Sequence, residues 1–133
     1  MKTVTHTLTL SEIHKHHDHL IRDIRVGFDE LIAADDDESL IDIRDRYVRF
    51  LETELVPHAL TEEETIYADG LNERDLHALV DGMKDEHLRL IGLINELRTA
   101  PSSTHIVAAA GGFMAMLAAH FDKENRLLLP ALN

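Results

Sequence analysis

Pro57-His58-Ala59-Leu60-Thr61-Glu62-Glu63 and His120-Phe121-Asp122-Lys123-Glu124 carry one pattern, His-x-x-x-Glu, in the two halves of a 133-residue chain. A His and a carboxylate four residues apart share one face of an α-helix, about 6 Å apart along its axis, so both can reach one cluster. Each copy is preceded by a solitary His on the helix before it: His17, four before Ile21, and His87, four before Ile91. Two halves that each supply His, then His plus Glu, describe a pair of metal ions inside a four-helix bundle.

The rest of the chain fits that bundle. Thr9-Leu10-Ser11-Glu12 reads as a capping box opening a helix striped by Ile13, His17, Leu20, Ile21, Ile24, Phe28 and Leu31. The acidic run Asp35-Asp36-Asp37-Glu38-Ser39 breaks the pattern and supplies capping oxygens to the next helix. That second helix shows Leu40, Ile43, Tyr47, Phe50, Leu51, Leu55, His58, Glu62 and Ile66, and ends near Asp69-Gly70. The third is expected from about Asn72, carrying Leu79, Val80, Met83, His87, Leu90, Ile91 and Ile94. Pro101-Ser102-Ser103 separates it from the fourth, which reaches about Pro130. No strand-like alternation competes, so the expectation is all-α: one domain over residues 1–133, an antiparallel up-down-up-down four-helix bundle. An antiparallel hairpin brings His17 level with His58. His87 lies deep in its helix if that begins at Asn72, and a bend at Asp81-Gly82 would resolve the register.

Composition narrows the chemistry. A formal net charge of −12 argues against nucleic acid and anionic membrane surfaces, which demand clustered Lys and Arg. With no cysteine, any metal site is built from nitrogen and oxygen ligands, and thiolate or iron–sulfur chemistry is excluded. No apolar run is expected to reach the length of a membrane span, and the amino terminus lacks an apolar signal core, so a soluble cytoplasmic protein is expected. Oligomeric state is left open.

Ten histidines are more than one site needs, and position relative to the stripes selects among them. A ligand sits on a buried stripe although it is polar, which is costly without a partner. His17, followed by Leu20, Ile21 and Ile24, meets that test, as does His87, followed by Leu90, Ile91 and Ile94. His120 and Glu124 lie within a face made by Phe113, Met116, Leu117, Leu127 and Leu128. His16 and His19 lie off the stripe. His14, at its edge, is a weaker candidate for an additional ligand or supporting donor, and His6, His77 and His105 are expected to face solvent. Taken singly, a buried His is more often hydrogen-bonded core than ligand, and Glu62-Glu63-Glu64 reads equally as a solvated acidic face. Six polar residues on the inward faces of four helices together favour the metal reading.

Across nearly its whole length the chain resembles the haemerythrin-like, or HHE cation-binding, domains, of the stand-alone bacterial type. Their pattern is matched by His17, His58 to Glu62, Glu86-His87, and His120 to Glu124 before Leu129-Pro130. The resemblance implies two iron ions in a non-haem, oxo- or hydroxo-bridged centre, bridged by Glu62 and Glu124, with the four histidines as terminal ligands. It departs from oxygen-carrying haemerythrins at Ile91, where they have a further His, and at Glu124, where they have Asp. It lacks the cysteine-bearing amino-terminal region of the related iron–sulfur repair proteins. The resemblance therefore implies open coordination positions and chemistry with oxygen, hydrogen peroxide or nitric oxide, peroxide disproportionation included. Iron or oxygen sensing, or storage without turnover, is the alternative, and a structural zinc bundle is a distant third.

Four further features bear on the site. Glu54, one turn before His58 where the other half has Met116, is a candidate catalytic base, proton relay or occasional ligand; alternatively, Pro57 swings it into water. Ala108-Ala109-Ala110-Gly111-Gly112 is expected to mark close approach of a helix bearing Phe28 or Phe50, the other reading being a gas-sized passage. Tyr47 and Tyr67 are candidate redox-active phenols, with Tyr47 expected to pack in the core instead.

Overall fold

Helices are the only regular structure in residues 10–132, the part of the chain that the computed structural model describes. Thr9 and His6 lie outside the described residues. The first rod is α1 (Leu10–Ile32). The second is α2 (Asp37–Phe50), a wide π turn at Leu51–Leu55, and α3 (Val56–Glu64), followed after a break at Thr65 by α4 (Ile66–Leu71). A 3-10 turn at Arg74–Leu76 leads into α5 (His77–Thr99). The fourth rod is α6 (Ser103–Lys123), a second π turn at Glu124–Leu128, and α7 (Leu129–Leu132). α1 packs on α2 and α6, and α5 packs on α2 and α6, which closes the bundle.

Local chemistry explains the boundaries. Asp36 caps α2 by accepting from the Ser39 amide at 2.7 Å, and Ser102 caps α6 by accepting from the His105 amide at 3.2 Å. At the end of α5, the buried Arg44 guanidinium donates to the carbonyls of Leu97 (3.0 Å) and Ala100 (3.3 Å). Both π turns end just before Val/Leu-Pro pairs, Val56-Pro57 and Leu129-Pro130. A proline ring clashes with the carbonyl four residues back and cannot donate to it. The amides of Val56 and Leu129 accordingly reach back five residues, to the carbonyls of Leu51 and Glu124.

Three expectations are corrected. α5 starts at His77 rather than Asn72 and continues through Gly82 without a break, so the later start, not a bend, sets the depth of His87. A Cβ on Gly111 or Gly112 would meet nothing within 4 Å, so these glycines mark no close approach. Close approach falls instead at Gly27, where a Cβ would stand 2.5 Å from the Tyr47 ring, and at Gly70, 2.7 Å from Val80. Finally, Ser103–Leu132 is long and apolar enough to cross a membrane, with mean hydropathy 1.4. It is nonetheless a core helix: Phe113, Leu117, His120, Glu124 and Leu128 are buried against the other rods.

The core has two apolar clusters. The larger holds Leu20, Ile24, Leu51, Leu90, Ile94, Phe113 and Leu117, together with Tyr47, whose hydroxyl donates to the Ile24 carbonyl at 3.0 Å. The smaller holds Ile13, Ile66, Tyr67, Val80, Met83, Leu128, Leu129 and Leu132. Between them in every rod lie the buried polar residues His17, Glu62, His87, His120 and Glu124. Along the chain, α1 and α5 pass from the smaller cluster through this polar layer to the larger, while the second and fourth rods pass the opposite way.

Candidate metal centre

Burial of charge in a core is tolerated only with compensation, so the partners of these residues matter. The π turn and Pro57 lead into α3, which carries His58 and Glu62 at helical spacing; α1 supplies His17, α5 His87, and α6 His120. His17, Glu62, His87, His120 and Glu124 are buried, and the His58 side chain keeps 12% of its surface exposed. Donor atoms fall into two groups, each within 4.8 Å: His17, His58 and Glu62, and Glu62, His87, His120 and Glu124. All six sequence-selected histidines and glutamates are thus brought together.

The two carboxylates lie between the two histidine pairs. Glu62 turns Oε2 toward His17 Nε2 (2.7 Å) and His58 Nε2 (3.0 Å), and Oε1 toward His87 Nε2 (3.4 Å). Glu124 turns Oε1 toward His17 Nε2 (3.2 Å) and Oε2 toward His120 Nε2 (3.1 Å). Each carboxylate therefore offers one oxygen to each side. Glu62 Oε1 and Glu124 Oε1 are buried without a hydrogen bond, although each is within ion-pair reach of an imidazole. A buried unsatisfied polar group costs about 1–3 kcal/mol, and more when charged. Two such oxygens facing inward amid imidazole nitrogens fit cations held between them.

Three of the four rings are oriented from behind. His17 Nδ1 donates to Asn125 Oδ1 at 2.9 Å, His87 Nδ1 to Glu63 Oε2 at 2.9 Å, and His120 Nδ1 to Glu86 Oε1 at 2.8 Å. Glu86 is itself held by Lys123. Such partners fix the ring so that Nε2 faces the site and make it a better donor. In Glu62-Glu63-Glu64, then, only Glu64 is a solvated acid.

Electrostatics follow from this crowding. Burial alone would depress His17, but hydrogen bonding to Glu62 and the charges of Glu124 and Glu62 raise its pKa to about 9. His87 is raised in the same way, by Glu62 and Glu63 acting against burial. Burial works to raise Glu62, yet hydrogen bonds from His17 and His58, with the His87 imidazole close by, hold it well below the usual carboxylate range. Glu124 moves up, pushed first by burial and then by the Glu62 charge. Without a cation, a proton on His17 Nε2 stands where a metal would.

Tyr67, a candidate phenol from the sequence whose position its spacing did not fix, lies at the cluster, whereas Tyr47 packs in the larger apolar core. The fully buried Tyr67 hydroxyl donates to Glu124 Oε2 and stands 3.1 Å from both His87 Nε2 and His120 Nε2. Tyr67 lies five residues after Glu62, about 140° around an unbroken helix. The break at Thr65 (φ −117, ψ −90) removes that constraint. No sequence signal marks the break before the structure is seen.

The remaining candidates lie at the edges. His14 is exposed, 3.9 Å from Asp18, and takes no part in the cluster. His16, set aside on the stripe argument, is exposed yet stacks on His58 with ring centroids 4.9 Å apart. Glu54 is exposed on the wall of a cleft of about 320 Å³, shared with His16, Pro57, His58 and Glu62. On the other side, Leu55, Ala59, Leu90, Ile91 and Leu117 enclose an apolar cavity of about 10 Å³ against His58, His87 and His120.

The model of the hemerythrin HHE cation binding domain matches residues 8–132. No curated protein and no solved structure matches the chain.

Proposed function

The chain belongs to the hemerythrin HHE cation-binding domain family, and on that footing we propose that it is a di-iron protein that binds and reacts with a small oxidant. One iron falls to His17 and His58, the other to His87 and His120, and Glu62 and Glu124 are shared. The observation that carries the reading is the division of each carboxylate, one oxygen toward each histidine pair. The alternating order of core layers along the four rods supports up-down-up-down topology.

When bound, two irons supply exchangeable coordination positions and electron transfer to oxygen, hydrogen peroxide or nitric oxide. The chain's own residues set the conditions. Asn125, Glu63 and Glu86 fix three imidazoles with Nε2 inward. The apolar cavity beside the cluster is small, about 10 Å³, and suits a small molecule rather than a bulky one. Its lining offers a diatomic or peroxide few competing hydrogen bonds. Glu54, on the cleft wall beside His58, is assigned to passing protons between cleft water and the site. The substrate is this small oxidant, without nucleic acid or membrane, in the cytoplasm.

Metal content and an optical spectrum before and after hydrogen peroxide test the reading. Two irons per chain and repeated peroxide turnover are expected. One zinc per chain would overturn it, and a stable coloured adduct without turnover would replace reaction by carriage or sensing.

A further inference from the structure

We propose that Tyr67 is a metal ligand, its phenolate oxygen completing the shell of the ion held by His87 and His120. This rests on the di-iron reading and adds a seventh side chain to it.

The geometry is that of a coordination shell. Tyr67 Oη lies 3.1 Å from His87 Nε2, 3.1 Å from His120 Nε2, and in contact with Glu124 Oε2. Adjacent ligands on an octahedral ion with bonds of about 2.1 Å are separated by about 3.0 Å. The Tyr67 and His87 rings are nearly parallel, 17° apart with centroids at 5.0 Å, and bring their polar atoms to one point.

Hydrogen-bond supply points the same way. Nδ1 of His87 and of His120 donates to a carboxylate. If both rings are neutral, their Nε2 lone pairs and Glu124 Oε2 all face a single phenolic proton, which can satisfy one of them. If both are imidazolium, two positive rings lie 4.7 Å apart in the core. A cation at the point of convergence satisfies all four atoms at once. Ile91, one turn beyond His87, brings no donor, so Tyr67 takes a place that α5 leaves unfilled. On ferric binding the phenolic O–H is exchanged for an O–Fe bond; the proton leaves to solvent base, and no electron moves.

The two halves then differ in kind. His17 and His58 bring only imidazoles to their ion, whereas the other half brings a phenolate that favours the ferric state.

Visible absorption and resonance Raman spectra of the diferric protein, with iron content measured on the same samples, test the assignment. Expected is a phenolate-to-iron charge-transfer band with tyrosine ring modes, lost in Tyr67→Phe and kept in Tyr47→Phe. If Tyr67→Phe does not fold, ring-deuterated tyrosine in the wild-type chain should shift those modes. A wild-type protein with two irons and no such band, a band surviving Tyr67→Phe, or modes that ring deuteration leaves unshifted would overturn the ligand role alone. A wild-type chain that takes up no iron would overturn the di-iron reading with it.

Discussion

His17 and His58 stand on one side of the shared carboxylates, His87 and His120 on the other, and their surroundings differ. Of the first pair, His58 borders the 320 Å³ cleft and is partly exposed while His17 is buried, and among the described residues the hydrogen-bond partner behind the pair is the neutral amide of Asn125. The second pair is buried, backed by the carboxylates Glu63 and Glu86, and capped by Tyr67. A repeated motif has thus produced two unequal halves, one reaching solvent through His58 and one fully buried. What distinguishes them comes from residues outside the motif.

Substitution of a shared carboxylate should abolish the distinction altogether. Glu62→Ala removes an oxygen from each side, and metal content is expected to fall from two irons to fewer than one per chain. A variant that retains one full iron would show that one half stands alone. The next largest effect separates the halves: a chelator should remove the cleft-side iron first. A ring partner behind a ligand is worth roughly 10- to 100-fold in metal affinity, and His58 lies beside open water. Single-phase loss of both irons would refute the asymmetry.

pH probes the metal-free site. His17, raised to about 9, and His87, also raised, contribute stability in full below about pH 6.5, and that contribution is lost as pH climbs through the folded values. Glu124, raised as well, acts in the same direction above about pH 4.5. Glu62, lowered, opposes them only on acidification below that value. The metal-free protein should therefore lose melting temperature between pH 6.5 and 9, with His17 accounting for on the order of 3 kcal/mol. The loaded protein should not, because metal replaces those protons. Calorimetry on both forms decides it. The smallest effect is expected at the cleft wall: Glu54→Gln should slow peroxide turnover by less than about tenfold with iron content unchanged. Turnover equal to the unsubstituted chain would remove Glu54 from the mechanism.

The four-helix fold and the six converging residues were legible because an inward-facing position on a helix repeats at a period that sequence displays directly. His17 could be told from His16 on that ground alone, and His17 is indeed buried where His16 is not. What sits behind the ligands was not legible. Glu63 and Asn125 are chain neighbours of ligands, about 100° off the stripe, and look solvated until a second helix is placed against them. Glu86 adjoins His87 in sequence yet serves His120, a pairing across two rods. Tyr67 required a helix break that no glycine or proline announces. Gly111-Gly112 misled for the converse reason: missing side chains show only that space exists, not that a neighbour fills it.

The polar layer also divides the core, leaving an apolar cluster above and below a sheet of carboxylates and imidazoles. Such a molecule is a cooperative unit only as far as that middle layer is neutralised. Metal that binds the folded chain alone adds about 2.7 kcal/mol at a free concentration one hundred times its dissociation constant. On the di-iron reading proposed above, the metal-free chain is the form expected to open first.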